Sequence, residues 1–256
     1  MTAAAPFRRN APVMGTMASI HVHDAVDAAI VDGAIDAFLA ELERLEAMFL
    51  TFRPSSQISR VNSGELALLD CDGEVIEVMD ACTWLEHASD GAFRSRRPDR
   101  PDEIDPAGFV KGWATERAAR VLAAAGLEHW YVSVGGDLLV SGQPAPDQLW
   151  QIAVADPLRR GEVVARLEIA SGAVATSGTA ERGEHVWDGR SGAPARALAS
   201  MTVIGPSLAW ADAFATAAFA QGEAGLSWVT EFDGYAAIAV RHDGTIAATP
   251  GIDRHA

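Results

Sequence analysis

The sequence predicts an α+β fold, with mixed, mostly antiparallel sheets against packed helices. Three observations lead there. Short β-rich segments follow one another through the second half of the chain without the strict strand–helix alternation of a doubly wound parallel sheet. The long stretch from Asp24 to Phe49 carries apolar residues at helical spacing. Asp243-Gly244, between two runs that favour strands, marks a terminal hairpin. No internal repeat, linker or low-complexity run divides the chain, so one domain over residues 1–256 is expected.

Taken in order, Val13 to His23 alternates β-formers with small and polar residues and reads as a strand beginning at Met14-Gly15-Thr16. Between Asp24 and Phe49, the residues Ile35, Phe38, Leu39, Leu42, Leu45 and Phe49 form one helix face, with Asp24 placed to cap it. Pro54 and the serines after it force a loop before a short helical turn ending at Asn62. Leu66 to Asp70 reads as a strand, Glu74 to His87 as a helix, and Ser95 to Glu103 as a loop rich in proline and arginine. A further helix starts within Asp105 to Ala114 and stops near Gly126. Trp130 to Val134 and Leu138 to Val140 read as strands on either side of Gly135-Gly136-Asp137. More strands are expected at Leu149 to Ala155, Val163 to Ile169, Ala173 to Thr176, His185 to Trp187 and Ser200 to Ile204. Helices follow at Leu208 to Gln221 and near Ala224 to Phe232.

Of the 256 residues, 49% are hydrophobic and 21% charged, enough to bury a sizeable core. The net charge of −15 argues against a nucleic-acid partner, because a polyanion needs a clustered positive surface. No apolar run is long enough to span a bilayer, so no membrane insertion is expected. Cys71 and Cys82 form neither a C-x-x-C pair nor a histidine-rich cluster, and neither offers an N-terminal lipid-attachment motif. A reduced, cytoplasmic setting is the simplest account, with a disulfide between the two left open.

The segment from Gly172 to Thr216 holds the densest chemistry. It offers Thr176-Ser177-Gly178, then His185 to Gly192, then Ala211 to Thr216 at the start of an apolar helix. Asp212 and Thr216, four residues apart, place a carboxylate and a hydroxyl one turn apart on one helix face. Hard oxygen donors favour magnesium over zinc. The same pair also suits a helix start where Asp212 offsets the dipole and Thr216 packs.

Read with Met14-Gly15-Thr16, Phe52 to Asn62, Gly91-Ala92-Phe93, Asp105 to Ala114 and Gly135-Gly136-Asp137, this segment resembles the ApbE family along nearly the whole chain. Members are flavin transferases that move FMN from FAD onto a protein threonine. The resemblance implies an ApbE-like, T-fold-like domain, magnesium (Mg2+) as the metal, FAD as substrate and a target protein carrying the acceptor threonine. It implies that Met14, Phe52, Ala92, Phe93, Asp105, Lys111 and Val186 contact FAD. The implied metal ligands are Asp212 and Thr216 with Gly108 and Ala215. His185, in an H-x-x-D motif, is the candidate general base, since an imidazole titrates near neutrality.

This chain departs from the family pattern in five places. Phe52 replaces a tyrosine, keeping a stacking face without its hydroxyl; Arg94 stands at an aspartate position; and a segment after it is missing. Gly189 replaces a proline, and Ser191 a threonine. Two other readings therefore stay open: an FAD-binding protein without transferase activity, and an FAD pyrophosphatase giving FMN and AMP.

Overall fold

The computed structural model describes residues 6–179, 186–250 and 252. It opens on a hairpin, β1 (Phe7–Val13) and β2 (Thr16–Val22), paired antiparallel over their full length. Met14 and Gly15 are therefore its two-residue turn and not the start of a strand. Both take positive φ, 48° and 66°, as the twist of a tight hairpin demands. The long helix α1 (Ala28–Phe49) begins later than its composition suggests, with Asp27 accepting from the Ala29 N–H at 2.8 Å as its cap. Asp24 instead accepts from the N–H groups of Glu128 and His129.

After the Pro54 loop comes α2 (Gln57–Asn62), capped by Ser56, whose hydroxyl accepts from the Ser59 N–H at 3.0 Å. The expected strand at Leu66 to Asp70 is a 3-10 turn, Leu68–Asp70. Among the described residues no partner strand runs beside it, and Leu69 projects into solvent. Helix α3 (Gly73–Ala88) follows. The arginine-rich loop folds as a small hairpin, β3 (Arg96–Arg97) and β4 (Arg100–Ile104). Asn62 pins its end: Nδ2 donates to the Ile104 carbonyl at 2.9 Å, and Oδ1 accepts from the Ile104 N–H at 2.7 Å.

Helix α4 (Ala107–Ala124) leads to β5 (Trp130–Val134) and β6 (Asp137–Ser141), which turn at Gly135-Gly136. Next are β7 (Trp150–Ala155), β8 (Val163–Ile169) and β9 (Gly172–Gly178). The short pair β10 (Trp187–Asp188) and β11 (Ala193–Pro194) precedes β12 (Ser200–Gly205). Two helices, α5 (Leu208–Gln221) and the brief α6 (Ala224–Val229), then lead to the closing hairpin β13 (Ala236–Val240) and β14 (Ile246–Ala248).

Among the described residues eight strands make the main sheet, in the order β1-β2-β5-β6-β9-β12-β13-β14, with every neighbouring pair antiparallel. Side-chain alternation divides it into two faces. Ala173 and Ala175 of β9 and Ala237 and Ala239 of β13 join the helical core beside α1, α4 and α5. The alternate residues Val174 and Ile238 meet Trp150, Ile152, Val154 and Leu167 of the β7–β8 hairpin on the opposite face. The alanines let α5 lie close to the sheet, which brings the ends of α4, α5 and β9 together. No described helix is long and apolar enough to cross a membrane. Cys71 and Cys82 are both free thiols, and burial pushes the Cys82 thiol up to about 12.

Candidate functional site

A cleft of about 220 Å³ opens where α4 begins, beside β9, α5 and the segment after α3. Eight of the residues singled out from the sequence line it together: Ala92, Phe93, Asp105, Gly108, Lys111, Val186, Asp212 and Thr216. Three lie off that lining. Met14, in the first hairpin turn, packs against the helical core, and Ala215 is fully buried within α5. Phe52 is 79% exposed, so it is not an anchor beneath its loop. Its neighbour Thr51 lines a smaller recess with Arg97 and Asp105, both also in the wall of the main cleft. His185 lies outside the described residues.

The polar centre is a three-residue charge array. The Lys111 ammonium pairs with Asp137 Oδ2 and stands 3.5 Å from Asp212 Oδ1. Asp212 Oδ2 accepts from the Gly112 N–H at 2.9 Å, and Asp137 Oδ1 accepts from the Thr176 N–H at 3.0 Å. Both carboxylates are buried, so each needs a charged or hydrogen-bonded partner. Burial pushes the Asp212 carboxyl up to about 7; Lys111 pulls it down, and Asp137 adds to the rise. The array thus has a carboxylate that gains from any further cation.

Thr216 adds its hydroxyl, 3.2 Å from Ser177 Oγ of β9. The first turn of α4 abuts this face, since a Cβ on Gly108 would fall 3.5 Å from Thr216 Cγ2 and 2.9 Å from Phe93 Cε2. A side chain there would crowd the space beside the hydroxyl, which explains the glycine. The side-chain donors that meet here are the Asp212 carboxylate and the hydroxyls of Thr216 and Ser177. Among the described residues no group of three His, Cys, Asp or Glu could hold a metal. An all-oxygen set with one carboxylate fits magnesium, which keeps much of its own water, better than zinc.

Asp137, Trp187, Arg96 and Arg97 belong to this site although nothing in the sequence marked them singly, and Arg94, which the sequence already suggested could pair with a phosphate, lines it as well, as does Ser177. One signal for Asp137 was available. This residue opens a strand of an otherwise apolar hairpin, and a carboxylate buried in such a place needs a cation beside it. A second cleft of about 250 Å³ shares Lys111 and Thr176 with the first and runs along Gly135-Gly136 to the end of β7.

Comparison with known proteins places the chain in a family. The ApbE family model matches residues 14–96 and 94–239. The FAD:protein FMN transferase of Escherichia coli K12 is 28% identical over 247 residues, covering 91% of this chain and 67% of that protein. The chain thus spans about two thirds of that relative's length. Among solved structures, the ApbE protein of Thermotoga maritima superposes with a TM-score of 0.84 at 23% identity, covering 96% of this chain and 97% of that one. The flavin transferase ApbE of Vibrio cholerae gives 0.80 at 21% identity, covering 96% of each. These likenesses establish the shared architecture, and the family match extends through the cleft-lining residues: this chain belongs to the ApbE family.

Proposed function

We propose that this protein transfers FMN from FAD to a threonine or serine hydroxyl of a target protein, with magnesium, releasing AMP. The observation that carries the reading is the convergence of Lys111 with the oxygen donors Asp212 and Thr216 in a cleft that arginines also line. In a chain of net charge −15, such a local concentration of cations suits a diphosphate.

In the reaction the acceptor oxygen forms a bond to the FMN phosphorus while the bond from that phosphorus to the bridging oxygen breaks. The hydroxyl proton goes to His185, and AMP leaves with the bridging oxygen. Lys111, held between Asp137 and Asp212, presents its ammonium to the diphosphate and offsets charge there. Asp212, Thr216 and the Gly108 carbonyl would hold magnesium. When bound, magnesium supplies Lewis-acid neutralisation of the phosphoryl oxygens. No covalent enzyme intermediate is required, since positioning and charge carry phosphoryl transfer.

Incubating the protein with FAD, magnesium and candidate acceptors, followed by mass spectrometry, tests the reading. A flavin phosphoester on an acceptor threonine or serine supports it. Free FMN and AMP without an adduct would indicate hydrolysis, and binding without turnover a carrier. His185→Asn should leave FAD affinity unchanged and slow transfer by on the order of 10²–10⁴-fold, with partial recovery at higher pH. Wild-type transfer rates in that variant would reject the base assignment.

A further inference from the structure

Two of the chain's departures from the family pattern, Arg94 and Gly189, touch each other. A Cβ on Gly189 would meet the Gly91 carbonyl oxygen and stand 2.6 Å from Arg94 Cγ and 2.9 Å from Arg94 Cδ. Only glycine fits between this main-chain carbonyl and the arginine stem. The Gly189 N–H also donates to the Ala92 carbonyl at 2.9 Å, a bond that proline has no hydrogen to make.

The segment beneath is held firmly. Phe93 N–H donates to Ser89 Oγ at 3.0 Å, and both Ala92 and Phe93 are buried. The Arg94 backbone and stem are thereby fixed at the cleft wall. Its guanidinium differs from its neighbours in what it does. Arg96 donates to the carbonyls of Pro101 and Asp102, and Arg97 makes two bonds to Asp99 at 2.9 and 3.2 Å. Among the described residues, the ion-pair partner of Arg94 is Glu86 at 3.9 Å, beyond hydrogen-bond length. Arg94 is thus the cleft arginine whose donors are least committed to its own loop.

We propose that Arg94, laid across Gly189, is a phosphate-binding residue of this cleft. The identification of that phosphate as the diphosphate of FAD rests on the flavin-transfer reading. A guanidinium suits the role because it offers parallel donors to two phosphate oxygens.

Calorimetric titration of the full chain with FAD, and separately with inorganic pyrophosphate, tests this on wild type, Arg94→Ala, Arg94→Lys, Gly189→Ala and the double variant Arg94→Ala/Gly189→Ala. Arg94→Ala should weaken both ligands by about 10-fold, the lower end for a charged hydrogen bond because the side chain is half exposed. Arg94→Lys should fall between, and melting should be unchanged in both. Gly189→Ala should weaken binding by displacing Arg94, and adding Arg94→Ala to it should cost less than Arg94→Ala costs in the wild type, whatever the contact with the Gly91 carbonyl costs by itself. Unaltered affinities in Arg94→Ala, losses that add in the double variant, or a Gly189→Ala protein that only melts earlier would each overturn the proposal. So would a wild type that binds neither ligand. Pyrophosphate binding that depends on Arg94 in a protein indifferent to FAD would instead support the arginine's role and defeat the flavin reading.

Discussion

Asp212→Asn is expected to lower flavin transfer by more than about 10⁴-fold while leaving the fold as stable as before. The first half follows from the assignment of this carboxylate as the one charged ligand of the metal. Metal stabilisation of a phosphoryl group is worth several kcal/mol, and about 1.36 kcal/mol corresponds to each tenfold in rate. The second half follows from the site's electrostatics. Asp212 is buried, and burial pushes its carboxyl up to about 7, so its ionised form is a cost to the metal-free protein. Asparagine keeps an oxygen for the Gly112 N–H, and Lys111 keeps Asp137.

Magnesium and pH supply two further readouts of the same variant. Magnesium should raise the melting temperature of the wild type, because it binds the folded site, and should not raise that of the variant. Since the folded carboxyl titrates above its unfolded value, the metal-free wild type loses stability as pH climbs from the ordinary carboxylate range toward 7. The variant should lack that slope. Turnover near the wild-type rate in folded Asp212→Asn would show the pair to be a helix-start feature and not a ligand set.

What the sequence revealed depended on whether a signal was local. Helix α5 was bounded correctly because the apolar run from Leu208 to Gln221 is contiguous. Asp105, Gly108 and Lys111, named through the family resemblance, line one cleft because they lie at or just before a single helix start. Strand β1 was missed because Phe7–Val13 is an edge strand, with charged and polar residues alternating outward and Pro12 in its run. Leu66 to Asp70 misled in the opposite way: a short apolar run looks like a strand wherever it lies, and only tertiary structure decides whether a partner is beside it. Asp137 was passed over since its partner Lys111 sits on a different element, and the paired glycines drew the reading to the backbone. The contact between Arg94 and Gly189 was invisible for the same reason, although both residues stood out singly.

Gly112→Ala should destabilise the protein by about 2 kcal/mol net, or about 4 °C in melting temperature for a chain of this size, and reduce activity with it. Inside a helix, alanine is ordinarily better than glycine by about 1 kcal/mol, so the intrinsic preference points the other way. Packing decides the sign here. A Cβ on Gly112 would stand 2.5 Å from the Leu208 carbonyl oxygen and 2.7 Å from Asp212 Cβ, so α4 and α5 would have to separate. A helix backbone cannot rotate out of the way as a flexible side chain can. The separation would stretch the Gly112 N–H bond to Asp212 and shift Lys111 against Asp212, which is why activity should fall as well. Gly33 is the control: it lies in α1 with nothing within 4 Å of its would-be Cβ. Gly33→Ala should therefore stabilise by about 1 kcal/mol and leave activity alone. Thermal melting and turnover of the two variants side by side measure both effects. If Gly112→Ala proved as stabilising as Gly33→Ala, the close approach of α4 to α5 would not be what positions the site.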